Sequence, residues 1–415
     1  MKIAIVGSGI AGLTCAYLLN RQHDIQVFEA SDWIGGHTHT VDVQVDGRSY
    51  AIDTGFIVFN DWTYPNFIRL LEQIGVGFKP TEMSFSVSDP ATGVEYNGHD
   101  LNTLFAQRSN LLSPAFWGML RDILRFNRQS LDDLANNRIS AETTLGQYLD
   151  SNGYGRRFIE HYIVPMGSAI WSMSLADMLG FPLQFFVRFC KNHGLLSVSD
   201  RPTWQVIEGG SRSYVAPLTA SFAERIRLNC PVSRVVRDQD GVTLHSAAGS
   251  ERFDKVIFAC HSDQALALLD QASEKESEIL GALPYANNDV VLHTDTRLLP
   301  KRKLAWASWN YRLGGPREQM AAVTYDMNIL QGIDSDTTFC VSLNQTAAID
   351  PSKILARFQY AHPQYSLAGT AAQARWEELL GAQHTYYCGA YWANGFHEDG
   401  VVSALRVARA FGETL

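Results

Sequence analysis

The sequence lacks the patterns that mark a metal centre, a disulfide framework or a membrane-spanning helix. Its six cysteines stand singly, with no CxxC pair and no spacing typical of metal ligands, so they are predicted to be buried, reduced thiols. No apolar run reaches the roughly 18 residues that a spanning helix requires. Glycines interrupt the apolar N-terminus, which argues against a cleaved signal peptide. Together these absences predict a cytoplasmic protein without a metal ion.

Positive charge is also scarce. The 415-residue chain carries a formal net charge of −9, and no stretch of Lys and Arg is long enough to follow a nucleic-acid backbone. A nucleic-acid partner is therefore not expected. With 46% hydrophobic residues the chain can fill a large interior, and its length favours two domains over one.

The clearest positive signal is a glycine-rich loop near the N-terminus. Residues 2–6 are predicted to form a short buried strand, residues 11–20 a helix and residues 25–29 a second strand, which together make a βαβ unit. A GxGxxG loop in this context indicates a dinucleotide site, because the glycines and the helix N-terminus let backbone N–H groups approach a pyrophosphate. The predicted contacts in this loop are Gly7, Gly9, Ile10, Ala11 and Gly12.

An acidic residue ends the second strand of this unit. Glu29 is predicted to accept hydrogen bonds from the ribose hydroxyls of an adenine dinucleotide, and its charge would repel a 2′-phosphate. Further along, the segment from 40 to 52 is expected to form a β-hairpin around Asp46-Gly47.

The segment after Glu29 resembles a second signature of the flavin-containing amine oxidase superfamily, which also holds protoporphyrinogen oxidases and carotenoid desaturases. That signature is an acidic residue, several spacers and then Gly-Gly-Arg-x-x-Thr, and this chain keeps Gly35, Gly36 and Thr40. His37 stands where arginine is common, and an imidazole can still donate to a phosphate. The resemblance implies FAD, bound by a Rossmann-type domain, as the cofactor.

The same resemblance continues along the whole chain. Residues 50–56, with Gly55, are similar to the family's stretch near the flavin ring, and residues 208–212 to its central Gly-Gly turn. Residues 231–235 and 254–259 are similar to the strand pair beside the adenine, which implies that the backbone of Val232 pairs with the base.

The C-terminal segment from Cys388 to Ala404 resembles the family's last flavin motif. The resemblance implies that the N–H of Val401, at a helix start, faces the flavin C2 carbonyl and stabilises negative charge there. The family often has a glutamate where this chain has Ala390. Either Glu398 or Asp399 is a candidate to replace that glutamate, and Asp399 is included in the predicted cofactor site.

The expected fold is α/β, with a Rossmann-type FAD-binding domain interleaved with a mixed α+β substrate domain. The FAD-binding domain is predicted to be discontinuous and to consist of residues 1–65, 201–283 and 380–415. The substrate domain is predicted to consist of residues 66–200 and 284–379. A helix over residues 113–136 begins with Ser-Pro and carries three arginines beside its apolar stripe, so a solvated basic face is favoured while a peripheral membrane contact stays open.

The substrate side offers no catalytic motif, as expected when the flavin performs the chemistry. Amine oxidases of the resembled family usually carry a lysine near the flavin, but residues 289–294, the similar strand, contain none. Ordinary core packing is the favoured interpretation for each aromatic or histidine, whereas the candidates for a substrate cavity are Trp171, Trp306, Trp309, Trp392 and His293.

The predicted activity is an FAD-dependent oxidoreductase that accepts hydride from an apolar substrate. The overall pattern is similar to a bacterial group of amine-oxidase-like proteins, and that resemblance implies desaturation of an unsaturated or methylated fatty acyl chain. A flavin amine oxidase acting on a small amine is the alternative, and a non-enzymatic FAD-binding protein is a third. The electron acceptor (oxygen, a quinone or another) and the oligomeric state stay open.

Overall fold

The computed structural model describes residues 1–315 and 320–415. Within these residues the chain alternates strands and helices throughout. The strands are β1 (Lys2–Val6), β2 (Asp24–Phe28), β3 (Thr40–Val45), β4 (Arg48–Asp53), β5 (Val58–Asn60), β6 (Phe78–Pro80), β7 (Phe85–Asp89), β8 (Val94–Asn97), β9 (Trp204–Ile207), β10 (Ile226–Arg227), β11 (Val232–Asp238), β12 (Gly241–Ser246), β13 (Gly249–Phe253), β14 (Lys255–Phe258), β15 (Tyr285–His293), β16 (Trp309–Arg312), β17 (Val323–Asp326), β18 (Cys340–Leu343), β19 (Ile354–Pro363) and β20 (Thr385–Tyr387).

The helices are concentrated between residues 101 and 192. They are α1 (Ile10–Leu19), α2 (Pro65–Gln73), α3 (Leu101–Leu104), α4 (Pro114–Ala135), α5 (Leu145–Ser151), α6 (Arg156–Phe158), α7 (Val164–Trp171), α8 (Leu175–Leu179), α9 (Leu183–Asn192), α10 (Val215–Thr219), α11 (Ser262–Leu268), α12 (Glu274–Gly281), α13 (Met327–Leu330), α14 (Leu367–Gln373) and α15 (His397–Ala410). None of these described helices combines the length and the apolar character needed to cross a bilayer.

A five-stranded parallel sheet with the order β10-β2-β1-β14-β20 forms the first part of the fold, where the sequence predicts the nucleotide site. Its strands come from residues 2–28, 226–227, 255–258 and 385–387. Side chains alternate between its two faces, so Ile3 and Ile5 pack under α1 and α15, whereas Ala4 and Val6 pack on the opposite side. Because both faces are covered, the strand sequences are almost continuously apolar, and the predicted Rossmann-type architecture is confirmed.

A seven-stranded sheet with the order β19-β15-β18-β17-β16-β7-β8 forms the second part. It is antiparallel except where β16 runs parallel to β7. The helices of residues 114–192 pack around a large aromatic core that includes residues of this sheet. All seven strands lie in residues 85–97 and 285–363, so the chain passes between the two parts several times.

Several local predictions are confirmed. Ser113 caps α4 by accepting the N–H of Phe116, and Pro114 is the first residue of the helix. The hairpin of β3 and β4 turns at Asp46 and Gly47, whose φ angles of 51° and 75° are those of a type I′ turn.

Other predictions need correction. Residues 303–310, whose apolar and aromatic content favours a strand, instead form a 3-10 turn at Lys303–Ala305, and strand β16 begins only at Trp309. The indole N–H of Trp306 donates to the carbonyl of Pro300, which stabilises the turn against an extended conformation. The last helix begins at His397 and not at residue 401, because Asp399 accepts the backbone N–H of Phe396 and thereby caps it early.

Candidate functional site

The phosphate loop has the backbone geometry that the GxGxxG pattern requires. Gly7 has a φ of 106°, and a Cβ there would lie 2.9 Å from the carbonyl oxygen of Ala259. A Cβ at Gly12 would lie 2.1 Å from the carbonyl oxygen of Gly7, so helix α1 can pack against the loop only with glycine at this position. At Gly9, by contrast, a Cβ would meet no heavy atom within 4 Å. The loop is thus closed around Gly7 and Gly12 and open above Gly9.

Two helix N-termini point the same way beside this opening. Gly9 is the N-cap of α1, and no described side chain caps that helix, so the N–H groups of its first residues have no side-chain acceptor. Gly400 of α15 lies so close to Ile10 that an added Cβ would be 2.7 Å from its Cγ2. One turn further, Cys15 Sγ lies 3.6 Å from the carbonyl oxygen of Ala404, which shows that α1 and α15 run parallel. The partial positive charges at the N-termini of the two helices therefore reinforce each other at the phosphate loop.

The early start of α15 changes which N–H groups are available. Val401 is the fifth residue of the helix, where a helical N–H already bonds the carbonyl four residues before it. The N–H groups without an intrahelical acceptor are those of His397, Glu398 and Asp399. A contact to the flavin at this helix would therefore be made by its first turn, because Val401 itself is fully buried in the core beneath the parallel sheet.

Glu29 lies at the carboxyl edge of the parallel sheet and connects three segments. One carboxylate oxygen accepts the N–H and the hydroxyl of Ser8, at 2.9 and 2.6 Å, and the other accepts those of Ser31, at 2.9 and 2.8 Å. The carbonyl of Glu29 accepts the N–H of Cys230, which brings the start of β11 and Val232 alongside. The two serines thus hold the Glu29 carboxylate in a fixed orientation, and a ribose hydroxyl would donate to it in place of one of the serine hydroxyls.

The Gly-Gly turn packs directly on the phosphate loop. Gly35 donates its N–H to Ser8 Oγ at 3.2 Å, and a Cβ at Gly36 would lie 3.2 Å from the Cα of Gly9. Next along the chain, the carbonyl of His37 accepts the N–H of Phe56, and a Cβ at Gly55 would lie 2.2 Å from that carbonyl oxygen. The predicted residues Gly35, Gly36 and Gly55 are therefore required by close backbone contacts at the same crevice.

Three imidazoles meet at His37. The ring of His37 lies 5.9 Å from that of His261 and 5.5 Å from that of His362, and its Nε2 is buried without a hydrogen-bond partner among the described residues. Burial, followed by the charge of a neighbouring imidazole, lowers the pKa of His37 and of His261 to about 4 and that of His362 to about 3. The three rings are thus neutral at pH 7 in the protein alone, and an anion would find N–H donors here.

The two acids at the start of α15 are used within the protein. Glu398 accepts the backbone N–H groups of Asn66 and Phe67 at 3.1 and 2.8 Å and so caps helix α2. Asp399 accepts the N–H groups of Asn394 and Phe396, and burial raises its pKa to about 6. Both carboxylates therefore have structural partners within the protein, and the role of either acid in place of the glutamate missing at Ala390 stays a prediction.

These features fit FAD. The open space above Gly9, the uncapped N-terminus of α1 and the unpartnered Nε2 of His37 lie at or beside the loop where the sequence predicts a pyrophosphate. Buried polar atoms without partners are rare in proteins and indicate a ligand or an unusual role. FAD would be held by the phosphate loop, Glu29 and the Gly-Gly turn, and when bound it would supply the hydride acceptor of the reaction.

A second cavity, of about 150 Å³, lies between the seven-stranded sheet and the helices. Its lining is almost entirely apolar and aromatic, and we refer to it as the apolar cavity. It reaches the surface at His99 and Arg201, which are exposed. The lining residues are Val58, Tyr64, Met83, Ser84, Phe85, Tyr96, Gly98, His99, Tyr162, Met166, Ile170, Phe189, His193, Leu195, Arg201, Trp204, Trp309 and Phe396.

A polar pocket of about 200 Å³ adjoins the apolar cavity, and the two share Tyr64, His193 and Phe396. His193 Nδ1 lies 2.9 Å from the carbonyl oxygen of Phe189, an atom that can only accept, so Nδ1 carries the proton and Nε2 is the free acceptor. Burial lowers the pKa of His193 to about 4. The neutral imidazole stands in the wall between the two compartments.

The structure places one of the four predicted tryptophans at the apolar cavity and the other three elsewhere. Trp309 lines the apolar cavity, whereas Trp171, Trp306 and Trp392 do not. Trp171 packs in the aromatic core behind Phe189, and Trp392 packs against the nucleotide-binding sheet.

His293 also lies outside the cavity. Its Nε2 is 2.8 Å from the Ser342 hydroxyl and its Nδ1 accepts the N–H of Asp295, so both ring nitrogens are used within the core. It is a structural histidine on β15.

Sequence reasoning missed most residues of the cavity. Met166, Ile170, Phe189 and His193 lie on or beside helices whose apolar spacing is that of ordinary core residues, so no signal separates them from the core. His261 and His362 were missed for another reason: they follow or end strands that are far apart in sequence.

Comparison with known proteins agrees with this geometry. Residues 10–327 of the 415 match the family described as flavin containing amine oxidoreductase. A zeta-carotene desaturase from Solanum lycopersicum is 37% identical over 76 residues, which cover 18% of this chain and only 12% of that protein.

Solved structures also match the whole fold, and two of them serve as examples. A putrescine oxidase double mutant superposes with a TM-score of 0.71 at 14% identity, and a fatty acid isomerase from P. acnes, described as producing CLA, with a TM-score of 0.71 at 16% identity. Each comparison covers 99% of this chain and 98% of the other. At such low identity these two structures establish the fold and leave the substrate open.

Proposed function

Since the chain belongs to the flavin-containing amine oxidoreductases, a family of FAD-dependent enzymes, we propose that it removes hydride from an elongated apolar substrate such as an unsaturated or methylated acyl chain. Residues 1–65, 201–283 and 380–415 would bind FAD, and residues 66–200 and 284–379 would bind the substrate. Bound FAD would supply the hydride acceptor: a substrate C–H bond would break with loss of hydride, the neighbouring hydrogen would leave as a proton, and a C=C bond would form.

The lining of the apolar cavity is the observation that supports this proposal. Aliphatic and aromatic side chains surround the space from β7, β16, α7 and α9, so a long hydrocarbon would be desolvated along its length. Such walls would also exclude water from a bound substrate, and flavin dehydrogenation requires a substrate C–H held beside the hydride acceptor in a dry site.

The charges around the cavity argue against a small amine. An ammonium group in an apolar site needs a carboxylate partner, yet among the described residues no acid lines the cavity, and Arg201 at its mouth is a cation. Strand β15 contains no lysine at any position. The polar pocket does contain Glu398 and Asp399, which is the one feature that favours an amine.

Those two acids have competing partners, as described above, because they cap α2 and the start of α15. An ammonium ion would have to share carboxylate oxygens that already accept backbone N–H groups. The apolar substrate is therefore the better fit to this cavity.

His193 is the group best placed to take the proton. Its Nδ1 is committed to Phe189, its Nε2 is free, and it lies at the junction of the apolar cavity and the polar pocket. A pKa of about 4 makes it a weak base, which suits a step in which most of the driving force comes from the flavin.

The test is anaerobic mixing of the oxidised holoenzyme with a panel of unsaturated fatty acids and phospholipids and a matched panel of primary amines and diamines. We expect lipids to bleach the visible flavin absorbance and to give products with an additional double bond by mass spectrometry. Rapid bleaching by amines with lipids inert would reject the apolar substrate and restore the amine oxidase alternative. Substrate turnover without bleaching, detected as a shifted double bond, would replace desaturation by isomerisation.

A further inference from the structure

We propose that the surface around residues 101–124 docks on an anionic lipid bilayer and opens the apolar cavity towards it. Ten large hydrophobic residues are exposed in the described chain, and five of them fall in this short segment. They are Leu101, Leu111, Leu112, Trp117 and Leu124, and together with Leu304 we call them the leucine patch.

The leucine patch is one continuous surface. Trp117 donates its indole N–H to the carbonyl of Leu111 at 2.9 Å, and its ring lies 5.4 Å from that of Phe105. Arg108 donates to the carbonyls of Asn102 and Phe105, which ties α3 to the following turn. The 3-10 turn that carries Leu304 packs against α3. Side chains 76% and 89% exposed, at Leu101 and Leu112, have no packing role that explains them.

Positive charge accompanies the exposed apolar side chains. On α4 the outer face reads Trp117, Arg121, Leu124, Arg128, at spacings of four, three and four residues that keep one side of a helix. Residues 101–130 hold four arginines and one aspartate, and residues 301–303 are Lys-Arg-Lys, whereas the whole chain has a net charge of −9. Basic side chains next to Leu and Trp are the pattern of a surface that binds anionic lipid, more than of a protein interface, whose core is depleted in charge.

The patch adjoins the mouth of the apolar cavity. Gly98 and His99 line the cavity, the His99 side chain is 46% exposed, and Leu101 follows two residues later. A hydrocarbon chain could thus pass from the bilayer to the cavity without crossing water. This inference rests on the proposed apolar substrate, but its test measures binding and not turnover, so either can fail alone.

The test is cosedimentation of the holoenzyme with vesicles of phosphatidylcholine plus phosphatidylglycerol and, separately, of phosphatidylcholine alone. We expect binding to the anionic vesicles that weakens when the salt concentration is raised. Leu112→Glu combined with Leu124→Glu should weaken this binding by on the order of tenfold or more, and Arg121→Glu by about fivefold. Both sets of side chains are exposed, so an unchanged flavin spectrum will show that the fold is intact.

Two matched controls make the result decisive. Leu355→Glu changes an exposed leucine on β19, and Arg409→Glu an exposed arginine on α15, and both should leave vesicle binding unchanged. Equal loss in the controls, or no binding of the unaltered protein to either vesicle, would overturn the proposal. Concentration-dependent dimers that the double variant abolishes, without vesicle binding, would overturn it in favour of a second copy of the chain as the occupant.

Discussion

The nucleotide crevice and the apolar cavity are built from opposite kinds of residues. At the crevice, glycines at fixed spacing bring backbone close to backbone, and single polar groups such as Glu29 join several loops. At the cavity, the positions are held by bulky aromatic and aliphatic side chains with few hydrogen bonds between them. Substitution should therefore have abrupt effects at the crevice and graded effects at the cavity.

The largest effects are expected at the two glycines of the loop, and they should differ in kind. Gly9→Val places a side chain in open space, at a φ of −66° that valine accepts, so the apoprotein should lose no more than about 1 kcal/mol of stability. The same side chain would occupy the pyrophosphate position, and FAD affinity should fall by more than about 100-fold.

Gly12→Val is the variant to compare with Gly9→Val. The new Cβ would lie 2.1 Å from the Gly7 carbonyl oxygen, so this substitution should lower the folding stability by several kcal/mol whether or not FAD is present. Thermal unfolding of both apoproteins and flavin fluorescence titration of Gly9→Val separate the two effects. A yellow, FAD-retaining Gly9→Val protein would disprove the assignment of the loop.

The next effect tests the cavity with two histidines. His193→Gln removes the free imidazole acceptor and should slow substrate-dependent flavin reduction by about 100-fold. His293→Gln should leave that rate within about twofold while lowering the free energy of unfolding by about 1–3 kcal/mol, since Ser342 and Asp295 lose their buried partner.

Stopped-flow absorbance measures the rate of flavin reduction in the two variants, and denaturant titration measures their free energies of unfolding. Because the pKa of His193 is about 4, the rate in the unaltered enzyme should be flat between about pH 6 and pH 8. Equal loss of rate in both variants would mean that His193 acts only through the fold.

At the crevice, Glu29→Ala should weaken FAD binding by roughly 1.5–3 kcal/mol, the scale of hydrogen bonds to a charged group. Glu398→Ala is the matched control, since this carboxylate caps α2 and should cost about 1 kcal/mol of stability without changing FAD affinity. Isothermal titration of FAD into each apoprotein measures both. A weakened affinity in Glu398→Ala would show that this residue does replace the glutamate missing at Ala390.

The smallest expected effect is a pH dependence of FAD binding. His37, His261 and His362 have pKa values of about 4, 4 and 3, so they are neutral near pH 7, and a bound pyrophosphate would favour their protonated forms. A ligand that raises a pKa binds more tightly as the pH falls, by linkage. FAD affinity should therefore increase roughly twofold to fivefold from about pH 8 to pH 6.

His37→Asn should flatten this dependence. Three neighbouring groups also face these imidazoles: His397 interacts electrostatically with His37, the Tyr360 ring packs against the His37 ring, and Asp263 follows His261 by two residues. All three must be the same in the unaltered protein and in the His37→Asn variant. An FAD affinity that is independent of pH, or that weakens towards pH 6, would show that the histidines do not contact the pyrophosphate.

The dinucleotide part could be predicted from the sequence because its physics is local. Gly7 adopts a positive φ, and the Gly7 carbonyl packs so closely on Gly12 that only glycine fits there. Glu29 ends the next strand, so all three constraints are visible within thirty residues of sequence. The family's later motifs extended this prediction to FAD and to the interleaved α/β fold.

The substrate cavity and the helix start at α15 were decided by tertiary structure. His193 and His293 look alike in sequence, and only packing leaves one with a free nitrogen and surrounds the other with partners. His261 and His362 approach His37 only after three distant segments have come together. Contacts between residues far apart in sequence depend on how sheets and helices pack, and a pattern of apolar spacing shows that a residue is buried without showing what it faces.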